Sequence, residues 1–373
     1  MSEEIKNLNE QPEQAPVEEK VEAKKPLDKK TIAIIAGAAA AVIVLVLVLV
    51  LALGGAKDYT LGMGVVFGDM TNAQTNATIA TVVLDKDGKI VACRIDAIQN
   101  KYAIGDTITF SVLDTKMELG DKYNMAAYGT PNIEGGTVKE WYDQAKAFEA
   151  YVVGMTAAQV EAIETQEVNN HVIAKDEALL NAGCTIQITD FMAAVVKACK
   201  DDQGVAFKAK GEFTLGIAAN NADDGSAIAD GVATIKMNSD IAASVVVDGK
   251  IVASINDAIQ PQVVVDAEGN VTSKSVGKGE GILKTKRELK EDYKMAAFGA
   301  PNVEGGTVKE WYEQSAAFST YVIGMTADQV KGLETQLVNN HNISKDNALL
   351  DAGCTIQITG IQAVVAESVA NAR

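Results

Sequence analysis

The chain has 373 residues, 50 acidic against 33 basic, for a formal charge of −17. That surplus excludes nucleic acid as a partner, because binding phosphates takes a basic face. It equally disfavours docking on anionic headgroups, so any membrane attachment has to be hydrophobic.

Residues 1–30 carry six lysines, eight acids and three of the six prolines. Such a composition cannot bury enough apolar surface to fold, and it predicts a disordered tail. Thr31 to Leu53 is uncharged and almost entirely Ala, Ile, Val and Leu. At ~1.5 Å per residue it spans a ~30 Å hydrocarbon core, which predicts a transmembrane helix over 31–53. Lys24, Lys25, Lys29 and Lys30 crowd its N-terminal side. The positive-inside rule then puts the tail in the cytoplasm and everything after Gly54 outside the cell membrane, in a single-pass arrangement. Leu53-Gly-Gly-Ala56 is a passable cleavage site, yet the apolar stretch exceeds a signal-peptide core, so an uncleaved anchor is expected.

The remainder is a tandem repeat. Met117 to Ala198 matches Arg287 to Ser368 at a constant offset of 170. Shared blocks include Glu-Gly-Gly-Thr-Val-Lys-Glu-Trp-Tyr ending at Tyr142 or Tyr312, and Val-Asn-Asn-His ending at His171 or His341. The front halves match more loosely, through Tyr59-Thr-Leu-Gly62 with Phe213-Thr-Leu-Gly216 and Asp87-Gly-Lys-Ile-Val-Ala92 with its copy at Asp248. Two domains of one kind follow, over 57–203 and 204–373, with a polar join at Lys200 to Gly204.

Within each copy the front half reads as strands. Ala77 to Leu84 is rich in β-branched residues, and Asp87-Gly88 signals a hairpin before Lys89 to Ile95. The back half reads as helices. Thr137-Val-Lys-Glu140 has capping-box spacing ahead of Trp141, Ala145, Phe148 and Val152, and a shorter helix starts at Thr156-Ala-Ala-Gln159. Strands first and helices after predicts an α+β fold, with each repeat an antiparallel sheet carrying packed helices.

Most chemical candidates fall away. His171 and His341 are the only histidines, one per copy and without ligand spacing, so a loop role is expected and no metal site. Asp176 and Glu177 become Asp346 and Asn347, which argues against a paired-carboxylate hydrolase. Cys93, Cys184, Cys199 and Cys354 read as unpaired thiols, because only Cys184 and Cys354 are matched, and in separate copies. Trp141, Tyr142, Phe148 and Tyr151 recur at helical spacing and read mainly as core.

One stretch stays open. Asn181-Ala-Gly-Cys-Thr185-Ile-Gln-Ile-Thr189 recurs from Asp351 to Thr359. Its glycine suits a helix C-cap, and suits equally a close approach of the backbone to a ligand. Its threonine offers a hydroxyl for a hydrogen bond or a covalent group.

The opening Tyr/Phe-Thr-x-Gly strand, the Asp-Gly-Lys-Ile-Val hairpin and the closing Gly-small-Thr before an apolar helix together resemble the bacterial FMN-binding domain. That domain occurs in subunits of ion-translocating quinone reductases and in extracellular flavoproteins, where a flavin transferase esterifies FMN to the final Thr of a Ser-Gly-Ala-Thr type motif. The resemblance covers both copies and implies Thr185 and Thr355 as acceptors, preceded by Gly183 and Cys184, or Gly353 and Cys354. The Trp-Tyr helix is not part of the family pattern, but bound FMN would need backbone N–H groups around its phosphate, expected from Gly183 and Gly353, and an apolar cover for its ring, expected from Trp141 or Tyr142 and from Trp311 or Tyr312. Cys184 and Cys354 replace the family's Ala, and Ala182 and Ala352 its Ser. Leu179 and Leu349 stand where the transferase expects an Asp. The implied protein carries electrons through FMN, bound covalently or not, in each repeat, and exchanges them with a membrane redox donor; it is a carrier rather than an enzyme with a substrate pocket. The alternative is a non-redox surface binding or structural module that has lost its flavin.

Overall fold

The computed structural model describes residues 55–373 apart from 71–72, 134–135, 278–280 and 305. The expected tail and transmembrane helix over residues 1–53 lie outside the described residues, among which no helix is long and apolar enough to cross a membrane.

In chain order, β1 (Lys57–Phe67), β2 (Gln74–Asp85), β3 (Ile90–Ile104) and β4 (Ile108–Val112) form an antiparallel meander. Helices follow: α1 (Lys116–Leu119), α2 (Met125–Tyr128), α3 (Trp141–Tyr151) and α4 (Ala157–Glu161). A small hairpin of β5 (Thr165–Val168) and β6 (His171–Ala174) then leads to α5 (Glu177–Ala182) and α6 (Thr189–Cys199). Its turn is the repeated Asn-Asn pair, with Asn169 and Asn170 at φ +51° and +62°, so that block is a hairpin signature.

Next, β7 (Val205–Ala209) joins the first sheet beside β1, pairing Lys57 with Ala209, and gives the order β4–β3–β2–β1–β7. The second sheet holds β8 (Thr214–Asp223), β9 (Ala227–Ala229), β10 (Val232–Val247), β11 (Lys250–Ile259), β12 (Pro261–Val265) and β13 (Val271–Val276). All of its pairings are antiparallel, and β10 is shared by all but β13. The helical half then recurs as α7 (Lys286–Leu289), α8 (Met295–Phe298), α9 (Trp311–Tyr321), α10 (Ala327–Lys331), hairpin β14 (Thr335–Val338) and β15 (His341–Ser344), α11 (Asn347–Asp351) and α12 (Thr359–Ala370). The molecule is therefore α+β, with antiparallel sheets and twelve α-helices among the described residues.

Period-two patterning gives each sheet two buried faces. Leu61, Met63 and Val65 of β1 and Ile79 of β2 meet Leu215, Ile217 and Val245 of the second sheet in one core that both copies share. The opposite faces carry the helices. Ala80, Val82 and Ile95 pack on Trp141, Phe148 and Phe191, and Ala242, Ile251 and Ala258 on Trp311, Phe318 and Val365. The order of layers is helix, sheet, sheet, helix. Gly62 and Gly216 of the Thr-Leu-Gly motifs serve this packing: a Cβ on either would lie 2.2 Å from the Ala198 carbonyl oxygen or 1.8 Å from that of Ser368. The motif glycine lets the last helix of each copy lie directly on its first strand.

One local reading needs correction. Thr137-Val-Lys-Glu140 does not cap the Trp141 helix; α3 begins at Trp141 with Glu140 as its N-cap. The Glu140 carboxylate instead accepts from the N–H groups of Met125 and Ala126, at 3.0 and 3.1 Å, and so caps α2. Glu310 does the same for Met295 and Ala296. The Asp-Gly hairpins form where the sequence predicts them, with turns that differ between the copies. Asp248 and Gly249, at φ +50° and +75°, make a two-residue turn between paired Val247 and Lys250. In the first copy only Gly88 is left-handed, and the loop is one residue longer, Lys86 to Gly88, closed by the Asp85 N–H donating to the Lys89 carbonyl at 2.9 Å. The boxes at Thr156 and Thr326 form as the sequence predicts.

Candidate functional site

The repeated Ala-Gly-Cys-Thr stretch joins α5 to α6. The α5 helix opens on Asp176, whose carboxylate accepts from the Ala178 N–H at 2.8 Å. It closes on Gly183 at φ +96°, a left-handed C-cap that spares a side chain the strain of that conformation. A second constraint holds there: Lys139 reaches over Gly183 to donate to the Ala182 carbonyl at 2.9 Å, and a Cβ on Gly183 would lie 2.4 Å from its Cε. Lys309 and Gly353 repeat this. Cys184 turns into the core, where burial pushes its thiol up to about 12, and Cys354 likewise. Neither is a nucleophile at neutral pH.

Thr185 is held by Gln144, a fully buried amide on α3. Gln144 Nε2 donates to the Lys139 carbonyl at 2.9 Å, which fixes the flip of the amide. Its Oε1 therefore faces Thr185, accepting from the backbone N–H at 2.9 Å and from the hydroxyl at 3.3 Å. Asn132 donates to the Thr185 carbonyl at 2.9 Å. Gln314, Asn302 and Thr355 reproduce the arrangement.

The Thr185 side of this frame borders a cavity of ≈ 300 Å³. Thr78 and Ala97 of the sheet, Trp141 and Phe191 of the helices, and Lys116 and His171 are among its lining residues. The ring of Trp141 meets Phe191 edge-on at 5.6 Å, a pairing that adds about 0.5–1.5 kcal/mol to area burial. Lys116 Nζ lies 5.4 Å from the Trp141 ring centroid, and Lys286 Nζ 5.3 Å from that of Trp311.

Both lysines face a carboxylate, yet its origin differs. In the first copy it is Asp190 of α6, raised by burial and drawn back down by Lys116. In the second copy α12 has Gly360 at that position, and the acid comes from Asp240 of β10, raised by burial and lowered by Lys286. The sheet registers make Asp240 the counterpart of Thr78. A Cβ on Gly360 would lie 2.0 Å from Asp240 Oδ2, so each copy has room for one of the two. The acid has changed strand for helix while facing the same lysine.

Thr185 and Trp141, singled out by the sequence, thus meet at one cavity. Tyr142 does not line it; its hydroxyl donates to Asp121 at 3.0 Å, as that of Tyr312 does to Glu291 at 2.9 Å. Gly183 and Cys184 lie behind the threonine, and their N–H groups donate to Leu180 and Leu179. Gly353 and Cys354 are bonded in the same way to Leu350 and Leu349. A backbone cradle for phosphate is therefore not what these glycines form.

The sequence reading passed over Lys116, Asn132 and Gln144, set His171 aside as a loop residue, and passed over Asp190. For the first four the 170-residue repeat was an available signal, since each recurs unchanged. No protein-family model, curated protein or solved structure matches the chain.

Proposed function

We propose that the protein is a membrane-anchored, extracytoplasmic flavoprotein in which each repeat holds one FMN at its threonine and carries electrons between a membrane donor and external acceptors. The observation that carries this reading is that the Thr185 residue borders a cavity walled by Trp141, with a lysine beside it. At ≈ 300 Å³ the cavity is at the small end of ligand pockets, so it suits the phosphate and ribityl end and leaves the flavin ring at its mouth. Lys116 and His171 are the groups to face the phosphate, and the Thr185 hydroxyl is the group to esterify it. Bound FMN supplies the electron transfer, while the chain supplies orientation and electrostatics. The uncharged run from Thr31 to Leu53 supplies the anchor.

A second reading, a surface binding or structural module without flavin, draws on the occupied N–H groups of residues 183 to 185, which leave any phosphate to side chains alone. The test is to express the full chain with a flavin transferase and view the denatured protein on a gel under ultraviolet light. A fluorescent band is expected. A dark band, together with no flavin retained after incubation with free FMN, removes the first reading in favour of the second.

A further inference from the structure

The two copies treat one internal position in opposite ways. In the first, the space between α3 and β3 is taken by Glu149, whose carboxylate accepts from the Ile95 N–H at 2.8 Å and pairs with Arg94 at 3.6 Å and Arg373 at 2.9 Å. The 170-residue offset puts Ser319 where Glu149 stands, Ala316 for Lys146 and Gln203 for Arg373. The sheet registers put Ser254 for Cys93 and Asn256 for Ile95. Each of these five side chains is shorter or more polar in the second copy, and Ile255 stands in the place of Arg94.

The result is a second cavity of ≈ 300 Å³, lined among others by Gln203, Ser254, Asn256, Tyr312, Ser315 and Ser319. Its wall is hydroxyl-rich. Asn256 Nδ2 donates to Ser319 Oγ at 2.9 Å, and Ser315 Oγ to the Asn256 carbonyl at 3.0 Å. Ser254 Oγ and Asn256 Oδ1, on residues 1% and 2% exposed, have no hydrogen-bond partner in the protein. Buried polar atoms are rarely left so, and these two call for an occupant. The wall is also electrically spent: Arg287 is engaged by Asp201 at 3.2 Å and by the Gln203 carbonyl at 2.9 Å.

We propose that this cavity binds a small neutral polyhydroxylated molecule, of monosaccharide or polyol chemistry. A charged ligand finds no counter-charge there that is not already paired. Asn256 Oδ1 asks for a donor, while the serine hydroxyls give or accept, and a ligand hydroxyl answers both. The Tyr312 ring adds an amphipathic face of the kind suited to a ligand with an apolar side and a polar rim. The site shares none of Lys286, Trp311 or Thr355 and is independent of the flavin reading.

Saturation-transfer NMR on the full chain, with D-glucose, D-galactose and glycerol as probes, tests this. At least one probe is expected to receive saturation from the wild type. Ser319→Glu, which installs the first copy's residue, and Asn256→Ile, which removes the orphaned acceptor, are each expected to weaken that binding tenfold or more with the circular dichroism spectrum retained. Absence of signal for all three probes on wild-type protein means that the cavity holds water only and overturns the proposal. A signal that survives in both folded variants overturns it as well.

Discussion

Replacing Gln144 with leucine tests how the threonine is held. The amide is fully buried and bonds three groups: the Lys139 carbonyl, the Thr185 N–H and the Thr185 hydroxyl. Leucine fills much of the same volume, so the cavity cost is small and the polar cost decides. Two backbone groups are left without their partner, at about 1–3 kcal/mol each, which puts the loss at about 2–5 kcal/mol once the gain in apolar contact is allowed for. Urea unfolding followed by circular dichroism reads it. With a slope of about 2–3 kcal/mol per molar for a small protein, the midpoint falls by roughly 1–2 M. One transition is expected, because the core between the two sheets belongs to both copies. Gln314→Leu is expected to cost the same, since its bonds match to within 0.1 Å. A loss below about 1 kcal/mol in either variant means that the amide does not hold the threonine, and the reasoning fails.

Three further outcomes follow from the packing and the charges. Gly216→Val forces a side chain into the Ser368 carbonyl, a backbone clash that nothing flexible relieves; a loss of about 3 kcal/mol or more is expected in thermal unfolding, and a Tm within a few degrees of wild type would contradict the packing. Burial pushes the Asp96 carboxyl from 3.8 up to about 7, against bonds from Met117, Thr115 and Ala97. A carboxyl raised in the fold favours the protonated state there, so its contribution is full below about pH 4 and lost as pH rises to about 7. Asp96→Asn is therefore expected to flatten the stability profile between pH 4 and 7, and a profile parallel to wild type would refute this. Last, Asp190→Gly alone leaves Lys116 facing no acid on α6, whereas Asp190→Gly with Thr78→Asp copies the second repeat. The double variant is expected to recover at least half of the stability lost by the single one in urea unfolding; no recovery would show that the two acids are not equivalent.

Much of the fold was legible because duplication printed it twice. The offset of 170 fixed the helical half, and the β-branched run from Ala77 to Leu84 fixed β2. What stayed hidden was decided by long-range contact. Nothing in Val205 to Ala209 says that this strand joins the first sheet beside β1 instead of opening the second. Glu140 has the spacing of a capping box, yet its carboxylate serves a helix fifteen residues earlier. At the site, Thr185 and Trp141 stood out through local pattern and composition. Gln144 and Asn132 did not, because a glutamine on a helix and an asparagine in a loop look like surface residues until the fold buries one and turns the other onto Thr185. The exchange of Asp190 for Asp240 was least visible of all, since the two copies differ at both positions and only the sheet register reveals the compensation.

Intact mass tests the proposed attachment of one flavin to each threonine. Full-length protein co-expressed with a flavin transferase is expected to carry two FMN adducts, Thr185→Val and Thr355→Val one each, and the double variant none. Unmodified wild-type protein that also retains no free FMN, or adducts that persist in the double variant, would contradict this.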